Sequence, residues 1–208
     1  MRLFDRFDKV YCINLDRRSD RIEHFDNIVN KFDLGNYTRF SAVDGSLIKD
    51  YNGNLKLGEL GLVLSNLEII KESIKNNFNT ILILEDDCFF TDEIKNIDEY
   101  FKQLPDDWDM LYMGGNHNLH VGAKPPIEIN SKVIKLHTTY STHFVALKST
   151  VFNHMNVILE KRNVPLDVGY VQLQKVFNAY SFSPAIAKQI KDYSDIQNKI
   201  TDYDWLIK

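Results

Sequence analysis

The segment TILILEDDCFF, residues 80–90, runs from an aliphatic stretch directly into three acids, Glu85, Asp86 and Asp87. The aliphatic residues 81–84 predict a buried strand, because a short continuous apolar run is typical of the centre of a sheet. Three adjacent carboxylates repel one another, and each costs free energy to remove from water. We therefore expect a positively charged group to bind at the end of this strand.

The sequence around this strand alternates between strand and helix patterns. Strands are predicted at KVYCINL (9–15), TRFSAV (38–43), TILIL (80–84) and WDMLYMGG (108–115), with helices over residues 16–32 and 57–75 and after Thr91. Such alternation predicts a mostly parallel sheet flanked by helices. Further along, KVIKL (132–136) and HFVALK (143–148) predict an antiparallel pair, and helices are predicted from Ser149 and after Pro165. No repeat or linker interrupts the pattern, so we predict a single α/β domain over residues 1–208.

Three unusual segments follow the predicted strands at the points where the strands end. They are NLDRR (14–18), EDD (85–87) and MGGN (113–116). Ligands of parallel sheets bind beyond the carboxyl ends of the strands, which share one edge. The three segments therefore predict a ligand site at this edge.

The acid triplet indicates a metal site. In an extended strand, residues two apart point to the same side, so Glu85 and Asp87 are predicted to project together while Asp86 points away. Two carboxylates suit a hard cation such as Mg²⁺ or Mn²⁺, with substrate phosphate oxygens completing its shell. The alternative is a solvated acid cluster before the helix that starts near Thr91. No Walker-A, GxGxxG, HExxH or paired CxxC motif competes with a metal–phosphate site.

Composition excludes several classes of protein. Hydrophobic residues make up 44% of the chain, and 25 basic and 29 acidic residues are interspersed to give a net charge of −4. A nucleic-acid-binding surface would need a basic stripe, so no nucleic acid is predicted as partner. No apolar run approaches the roughly 20 residues of a transmembrane helix, and Asp5 and Asp8 stand where a signal peptide would be apolar. We predict a cytoplasmic enzyme or binding domain in which Cys12 and Cys88 are buried free thiols rather than a disulfide.

The ordered motifs resemble glycosyltransferase family 25, which includes lipooligosaccharide transferases and procollagen galactosyltransferases. The matching segments are YCINLDRRSDR (11–21), FSAVDG (40–45), LGELGLVLSNLEII (57–70), ILILEDD (81–87), DWDMLYMGG (107–115), PLDVGY (165–170) and PAIAKQIKDYSDI (184–196). The resemblance implies a GT-A fold, a UDP-sugar donor, Mn²⁺ or Mg²⁺, and inversion at the anomeric carbon. It also implies transfer of a hexose, galactose or glucose, to a glycan, lipooligosaccharide or hydroxylysine-type acceptor. Residues 1–115 would form the nucleotide-sugar-binding half and residues 116–208 the acceptor-side half.

The resemblance assigns roles to individual positions. Asp87 would bind the metal, with Glu85 beside it or beside the ribose. The positions implied for donor binding are Asn14, Leu15, Arg17, Arg21, Asp44, Gly45, Ser65, Glu85 and Asp86. For the two arginines the alternative is a solvated first helical turn, and for residues 44–45 it is an ordinary turn.

The chain departs from the family pattern at two positions. Asn66 follows Ser65 where the family has histidine, and Leu62 stands where it usually has cysteine. An asparagine can hydrogen-bond a phosphate without carrying charge. These departures leave open a second hypothesis, that the chain is a nucleotide-sugar-binding module with weakened catalysis. A metal-dependent nucleotidyl- or phosphotransferase is a third hypothesis, but NLDRRSDR (14–21) lacks the glycines of a phosphate loop.

Two acids in the second half are candidates for further roles. An inverting displacement needs a base on the acceptor side, and Asp167 follows Pro165 and lies in the acceptor-side segment PLDVGY. Its alternative role is that of a helix N-cap. Asp195 in YSDI is a candidate for a further metal ligand, and a solvated tail is the alternative.

Overall fold

A computed structural model describes residues 1–117, 123–190, 192–196 and 199–201. The described strands are β1 Lys9–Asn14, β2 Thr38–Ser41, β3 Thr80–Glu85, β4 Cys88–Phe90, β5 Met110–Tyr112, β6 Ile127–Glu128, β7 Val133–Lys135, β8 Phe144–Lys148, β9 Ala179–Phe182, β10 Ala187–Gln189, β11 Asp192–Ser194 and β12 Lys199–Thr201. The α-helices are α1 Ser19–Lys31, α2 Leu57–Lys75, α3 Ile97–Gln103, α4 Ser149–Glu160 and α5 Leu166–Leu173, and short 3₁₀ helices span Phe4–Arg6, Gly45–Leu47 and Asp92–Asn96.

Eight of these strands form one sheet in the order β2-β1-β3-β8-β5-β9-β7-β6. The strands β2, β1, β3, β5, β9 and β6 run in one direction, whereas β8 and β7 run in the other. The sheet is therefore mostly parallel, as the alternating pattern predicts. Two smaller antiparallel pairs, β4 with β10 and β11 with β12, lie outside it.

The core occupies both faces of this sheet because successive strand residues point to opposite sides. In β3, Leu82 and Leu84 belong to the cluster that also contains buried residues of α1 and α3. Ile81 and Ile83 belong to the opposite cluster, with buried residues of α2, α4 and α5. The continuous apolar run of β3 is thus explained by burial on both faces. Cys12 and Cys88 are buried and free, as predicted.

One strand pairing differs from the prediction. The predicted antiparallel pair of KVIKL and HFVALK does not form, because β8 lies between β3 and β5 while β7 pairs with β9. Residues 144–147 of β8 are all buried, and a strand that is buried on both faces is stabilised by a central position in the sheet. Chain order alone is therefore a poor guide to its neighbours.

The double glycine after β5 allows the backbone to pack closely at the edge of the sheet. A Cβ atom at Gly114 would lie 2.0 Å from the carbonyl oxygen of Ala187, at the start of β10. Only glycine fits so near another main chain. Within the part of the chain that is described, none of the helices combines the length and apolar character of a membrane crossing.

Candidate active site

A cleft of about 950 Å³ opens at the carboxyl edge of the sheet, beyond β1, β3 and β5. Most of the residues that the sequence predicts for the site line this cleft: Leu15, Arg17, Arg21, Asp44, Gly45, Ser65, Glu85, Asp86, Asp87, Asp167 and Asp195. The segments after β1, β3 and β5 therefore converge as predicted.

The acid triplet bends at the end of its strand. β3 ends at Glu85, and residues 86–87 form a turn. The prediction that Asp86 points away assumes an extended strand through residue 87, and that premise is wrong. All three carboxylates line the cleft. Asp86 accepts hydrogen bonds from the Asn14 amide at 2.6 Å and from Arg21 at 3.0 Å, which hold it against the start of α1.

Glu85 and Asp87 form a pair of poorly hydrated carboxylates. Burial raises the pKa of Glu85 to about 8, and the Asp87 carboxylate adds to the increase. Burial raises the pKa of Asp87 to about 6, with Asp86 adding to the increase and Arg21 opposing it. The Thr142 hydroxyl donates to Glu85 at 2.9 Å, and the Gln189 amide lies 3.4 Å from Asp87 Oδ2.

The second oxygen of Asp87, Oδ1, is buried and has no hydrogen-bond partner among the described residues. An unpaired carboxylate oxygen beside a second acid is a fit environment for a divalent cation. No group of three or more His, Cys, Asp or Glu side chains within the described ranges is arranged to hold a metal. A cation here would therefore rest on two protein carboxylates and need oxygens from a substrate.

Arginines at the start of α1 form the other wall of the site. Arg17 pairs through one guanidinium nitrogen with Asp44 and through the other with Asp195 at 2.8 Å. Arg18 donates to the remaining oxygen of Asp195, also at 2.8 Å. Arg21 binds Asp86 and donates to the carbonyl oxygen of Tyr193 at 2.7 Å. The cleft thus contains guanidinium groups whose charges are balanced by nearby carboxylates.

The carboxylate of Asp195 does not lie in open solvent, which answers the solvated-tail alternative. Both of its oxygens accept hydrogen bonds from arginines, so a cation bound to Asp195 would lie next to two guanidinium charges. The main chain at residues 195–196 also lies close to the start of α2, because a Cβ atom at Gly58 would meet Ile196 Cα at 2.9 Å. The role of Asp195 as a metal ligand stays a prediction.

The Asp44-Gly45 pair opens a short 3₁₀ helix rather than an isolated turn. Asp44 caps this helix by accepting a hydrogen bond from the Ser46 N–H at 3.0 Å. A Cβ at Gly45 would lie 1.8 Å from the carbonyl oxygen of Leu57, so the loop packs directly on the start of α2. Ser65 fixes the same loop by accepting a hydrogen bond from the Val43 N–H at 2.9 Å. These contacts hold the Asp44 carboxylate at the cleft beside Arg17.

Two asparagine side chains are buried next to the cleft without lining it. Asn14 is 1% exposed and is not among the residues lining the cleft; it bonds Asp86 and accepts a hydrogen bond from Arg39. Asn66 is also 1% exposed, and its amide donates to the carbonyl oxygen of Leu62 at 3.0 Å. The described geometry gives Asn14 a positioning role and leaves Asn66 outside the cleft, whereas Leu62, the other departure from the family pattern, lines it.

Asp167 lies in the first turn of α5, one residue after the helix begins. Its carboxylate accepts a hydrogen bond from the N–H of Val168 at 2.8 Å, and it lines the cleft together with Pro165 and Leu166. It is not the N-cap residue, because Pro165 occupies that position. Asp167 therefore lies within the cleft, on a different element from Glu85 and Asp87.

The sequence assigns no individual role to several other residues of the cleft, among them Asn116, Tyr140, Thr142 and Gln189. Asn116 does lie in the MGGN segment after β5, which the sequence predicts as part of the site. Thr142 is next to Glu85 only because β8 pairs with β3, and this pairing has no local signature in the sequence.

Comparison with known proteins places the chain in a family. The model of glycosyltransferase family 25 (LPS biosynthesis protein) matches residues 7–195. Procollagen galactosyltransferase 1 of Danio rerio is 30% identical over 52% of this chain and 21% of its own length. A glycosyltransferase 25 family member of Aedes aegypti is 29% identical over 50% of this chain and 21% of its own length. A protein of Bos taurus named probable inactive glycosyltransferase 25 family member 3 is 27% identical over 52% and 22%. The chain spans about a fifth of the length of these curated relatives.

The fold has a counterpart among solved structures. The crystal structure of A197 from STIV matches with a TM-score of 0.50 and 13% sequence identity, over 97% of this chain and 95% of that one. Together with the family match and the sheet topology, this likeness confirms the predicted α/β fold of the GT-A type.

Proposed function

Because the chain belongs to glycosyltransferase family 25, we propose that it transfers a hexose from a UDP-sugar to a hydroxyl group of a glycan or protein. The observation that carries this proposal is that one cleft contains both a pair of carboxylates suited to a cation and an arginine suited to a phosphate. The Glu85–Asp87 carboxylate pair and the Arg17–Asp44 ion pair both line it. A nucleotide diphosphate sugar combines the groups that these residues recognise.

The nucleotide would bind beside the start of α1. Arginine binds phosphate oxygens through its N–H donors, and Arg17 and Arg18 each donate one hydrogen bond to a different carboxylate oxygen of Asp195. A diphosphate would compete with that carboxylate for both arginines. Asp44 would accept a hydrogen bond from the uracil ring, because its loop is fixed by Ser65 and Gly45.

Glu85 and Asp87 would hold Mn²⁺ or Mg²⁺, with diphosphate oxygens as further ligands. The unpartnered Oδ1 of Asp87 and the raised pKa of both acids support this assignment, because a cation offsets the repulsion between them. When bound, the cation supplies a positive charge that stabilises the departing diphosphate. Thr142 and Gln189 orient the two carboxylates.

Asp167 would act as the base that takes the proton from the acceptor hydroxyl. The acceptor oxygen then bonds to the anomeric carbon as the bond from that carbon to the diphosphate breaks, and the bonding electrons leave with UDP. A single displacement of this kind inverts the anomeric configuration. Asp167 suits the role because it lines the cleft from α5 and not from the metal-binding turn.

For the acceptor, we propose only the group that reacts, which is a hydroxyl. The family description names LPS biosynthesis, and the relative from Danio rerio is named for procollagen. Both point to a hydroxyl acceptor, either on a lipooligosaccharide or other glycan or on a hydroxylysine-type side chain.

A donor and acceptor screen tests the proposal. UDP release would be measured for UDP-galactose and UDP-glucose with Mn²⁺, first alone and then with sugar and hydroxylysine-peptide acceptors. We expect one UDP-hexose to release UDP and an acceptor to accelerate the release, with Asp87→Asn as the inactive control. A protein that binds a UDP-hexose but never releases UDP would instead be a binding module.

A further inference from the structure

Asn116 is a buried polar residue at the wall of the cleft. It follows the Gly-Gly turn after β5 and is only 5% exposed, yet it lines the cleft. Its amide oxygen is buried and has no hydrogen-bond partner among the residues that are described. Buried polar atoms are nearly always paired, so an unpaired one at a ligand cleft needs an explanation.

The main chain of Asn116 is fixed in place. Its N–H donates to the carbonyl oxygen of Tyr140 at 3.0 Å, and the Tyr140 N–H donates back to the Asn116 carbonyl at 2.9 Å. Gly115 adds a close contact, because a Cβ there would lie 2.7 Å from the Thr139 methyl group. The side chain thus projects from a rigid position, while no hydrogen bond holds its oxygen. Rotation of the amide about its terminal bond can therefore present that oxygen to a ligand at low cost.

The same loop connects Asn116 to the carboxylate pair. Tyr140, which bridges to Asn116, is followed by Ser141 with a positive φ of 71° and then by Thr142. Thr142 donates its hydrogen bond to Glu85 at 2.9 Å. A serine in the left-handed region marks a backbone held by its surroundings. The segment 140–142 therefore connects Asn116 to the end of β3, where a diphosphate and its cation would bind.

We propose that the Asn116 amide oxygen accepts a hydrogen bond from one hydroxyl of the transferred hexose and so selects the donor sugar. This inference rests on the proposed function, because a hexose reaches this wall only as part of a nucleotide sugar. The oxygen is an acceptor and needs an O–H or N–H donor. A hexosyl hydroxyl supplies one, whereas the phosphates carry acceptors alone; a contact with the ribose hydroxyls or the uracil N–H would instead show as a loss of affinity for UDP itself. Sites that hydrogen-bond a substrate hydroxyl discriminate strongly against analogues that lack it.

The test compares hydroxyl deletions on the sugar with deletion of the amide. The value of kcat/KM for UDP release would be measured for the preferred UDP-hexose and its 2-, 3-, 4- and 6-deoxy analogues. The proteins are the parent, Asn116→Ala and the matched control Asn156→Ala, because Asn156 also has a buried unpartnered amide oxygen but does not line the cleft. Affinities for UDP and UDP-hexose would be measured calorimetrically alongside.

We expect Asn116→Ala to reduce kcat/KM for the parent sugar by about 10- to 100-fold and to leave UDP affinity within about threefold. One deoxy analogue should be used equally well by Asn116→Ala and the parent protein, which identifies the hydroxyl that Asn116 recognises. Asn156→Ala should retain every preference of the parent. If Asn116→Ala does not fold, Asn116→Ser takes its place with the same expectations.

Equal losses for all five sugars, or a parallel loss of UDP affinity, would overturn the inference and leave the proposed function intact. A parent protein that binds no UDP-hexose would refute the proposed function, and the inference with it. Binding without turnover would refute only the catalytic part, because the affinity for UDP-hexose relative to UDP still reports the contact with Asn116.

Discussion

Arg18 and Asp195 form an ion pair of 2.8 Å that joins the start of α1 to the turn after β11. Arg17 binds the other oxygen of the same carboxylate. The sequence alone makes Asp195 a candidate metal ligand, whereas this geometry makes it a partner of the arginines that would bind a diphosphate. The two roles predict different effects on UDP and Mn²⁺ affinity when the charge of Asp195 is removed.

Replacement of Asp195 by asparagine separates these roles. We expect Asp195→Asn to raise the affinity for UDP in the absence of metal by about two- to tenfold, because a partly exposed ion pair of this kind no longer competes for Arg17 and Arg18. Calorimetric titration with UDP measures this change. The affinity for Mn²⁺ in the presence of UDP should stay unchanged. A clear loss of Mn²⁺ affinity would return Asp195 to the metal ligands.

The carboxylate pair predicts how stability changes with pH in the metal-free protein. Folding raises the pKa of Glu85 from an ordinary 4.5 to about 8 and that of Asp87 from 3.8 to about 6. A group with a raised native pKa stabilises the fold below its unfolded pKa and loses this contribution as the pH rises through the native value. The free energy of unfolding should therefore fall between about pH 4.5 and 8.

Urea denaturation in chelator at pH 5 and pH 8 measures this effect. Glu85→Gln should show a smaller decrease than the parent protein, because the glutamine does not ionise. Mn²⁺ should stabilise the parent more at pH 8 than at pH 5, since protons compete for the same oxygens. An unchanged pH dependence in Glu85→Gln would show that this residue does not cause the loss.

The proposed metal ligand Asp87 and the proposed uracil contact Asp44 should respond differently to substitution. In the proposed mechanism, Asp87→Asn would remove a metal ligand beside the reacting bond and should lower kcat by at least about 100-fold. Asp44→Ala would remove a contact that is the same in the bound donor and the transition state. It should therefore raise the donor KM with a smaller effect on kcat. Steady-state kinetics with a UDP-hexose distinguish the two profiles, and identical profiles would refute this division of roles.

The acceptor side has its own test in Asp167. General-base catalysis contributes about 10²–10⁴ in rate, so Asp167→Asn should lose a factor in that range in kcat. Its affinity for UDP with Mn²⁺ should stay near that of the parent protein. Glu160→Gln is a suitable control, because Glu160 is exposed at the end of α4 and pairs with Lys71. Transfer at the parent rate, or loss of UDP binding together with turnover, would remove Asp167 from this role.

Local periodicity explains why much of the fold could be predicted. Apolar residues at helical spacing predict a helix over residues 57–75, and α2 has these bounds. The apolar run of β3 likewise predicts a central strand, because only a strand covered on both faces lacks polar alternation. The edge where β1, β3 and β5 end could be predicted from the direction of parallel strands, and the cleft lies there.

Contacts between distant segments explain what could not be predicted. Thr142 and Glu85 are 57 residues apart and meet because β8 inserts beside β3, which contradicts the pairing suggested by chain order. Asn116 and Tyr140 meet in an isolated bridge that has no sequence signature. The direction of Asp86 depends on the residue at which β3 ends, and apolar patterns do not fix strand ends to a single position.

The central claim is that Glu85 and Asp87 support metal-dependent transfer from a UDP-hexose. Its most direct test is UDP release from the preferred UDP-hexose and acceptor, measured in excess chelator and again after saturating Mn²⁺ is added, for the parent protein and Asp87→Asn. We predict no release in chelator, full recovery with Mn²⁺ in the parent, and almost no recovery in Asp87→Asn. Full turnover of the parent in excess chelator would contradict the claim.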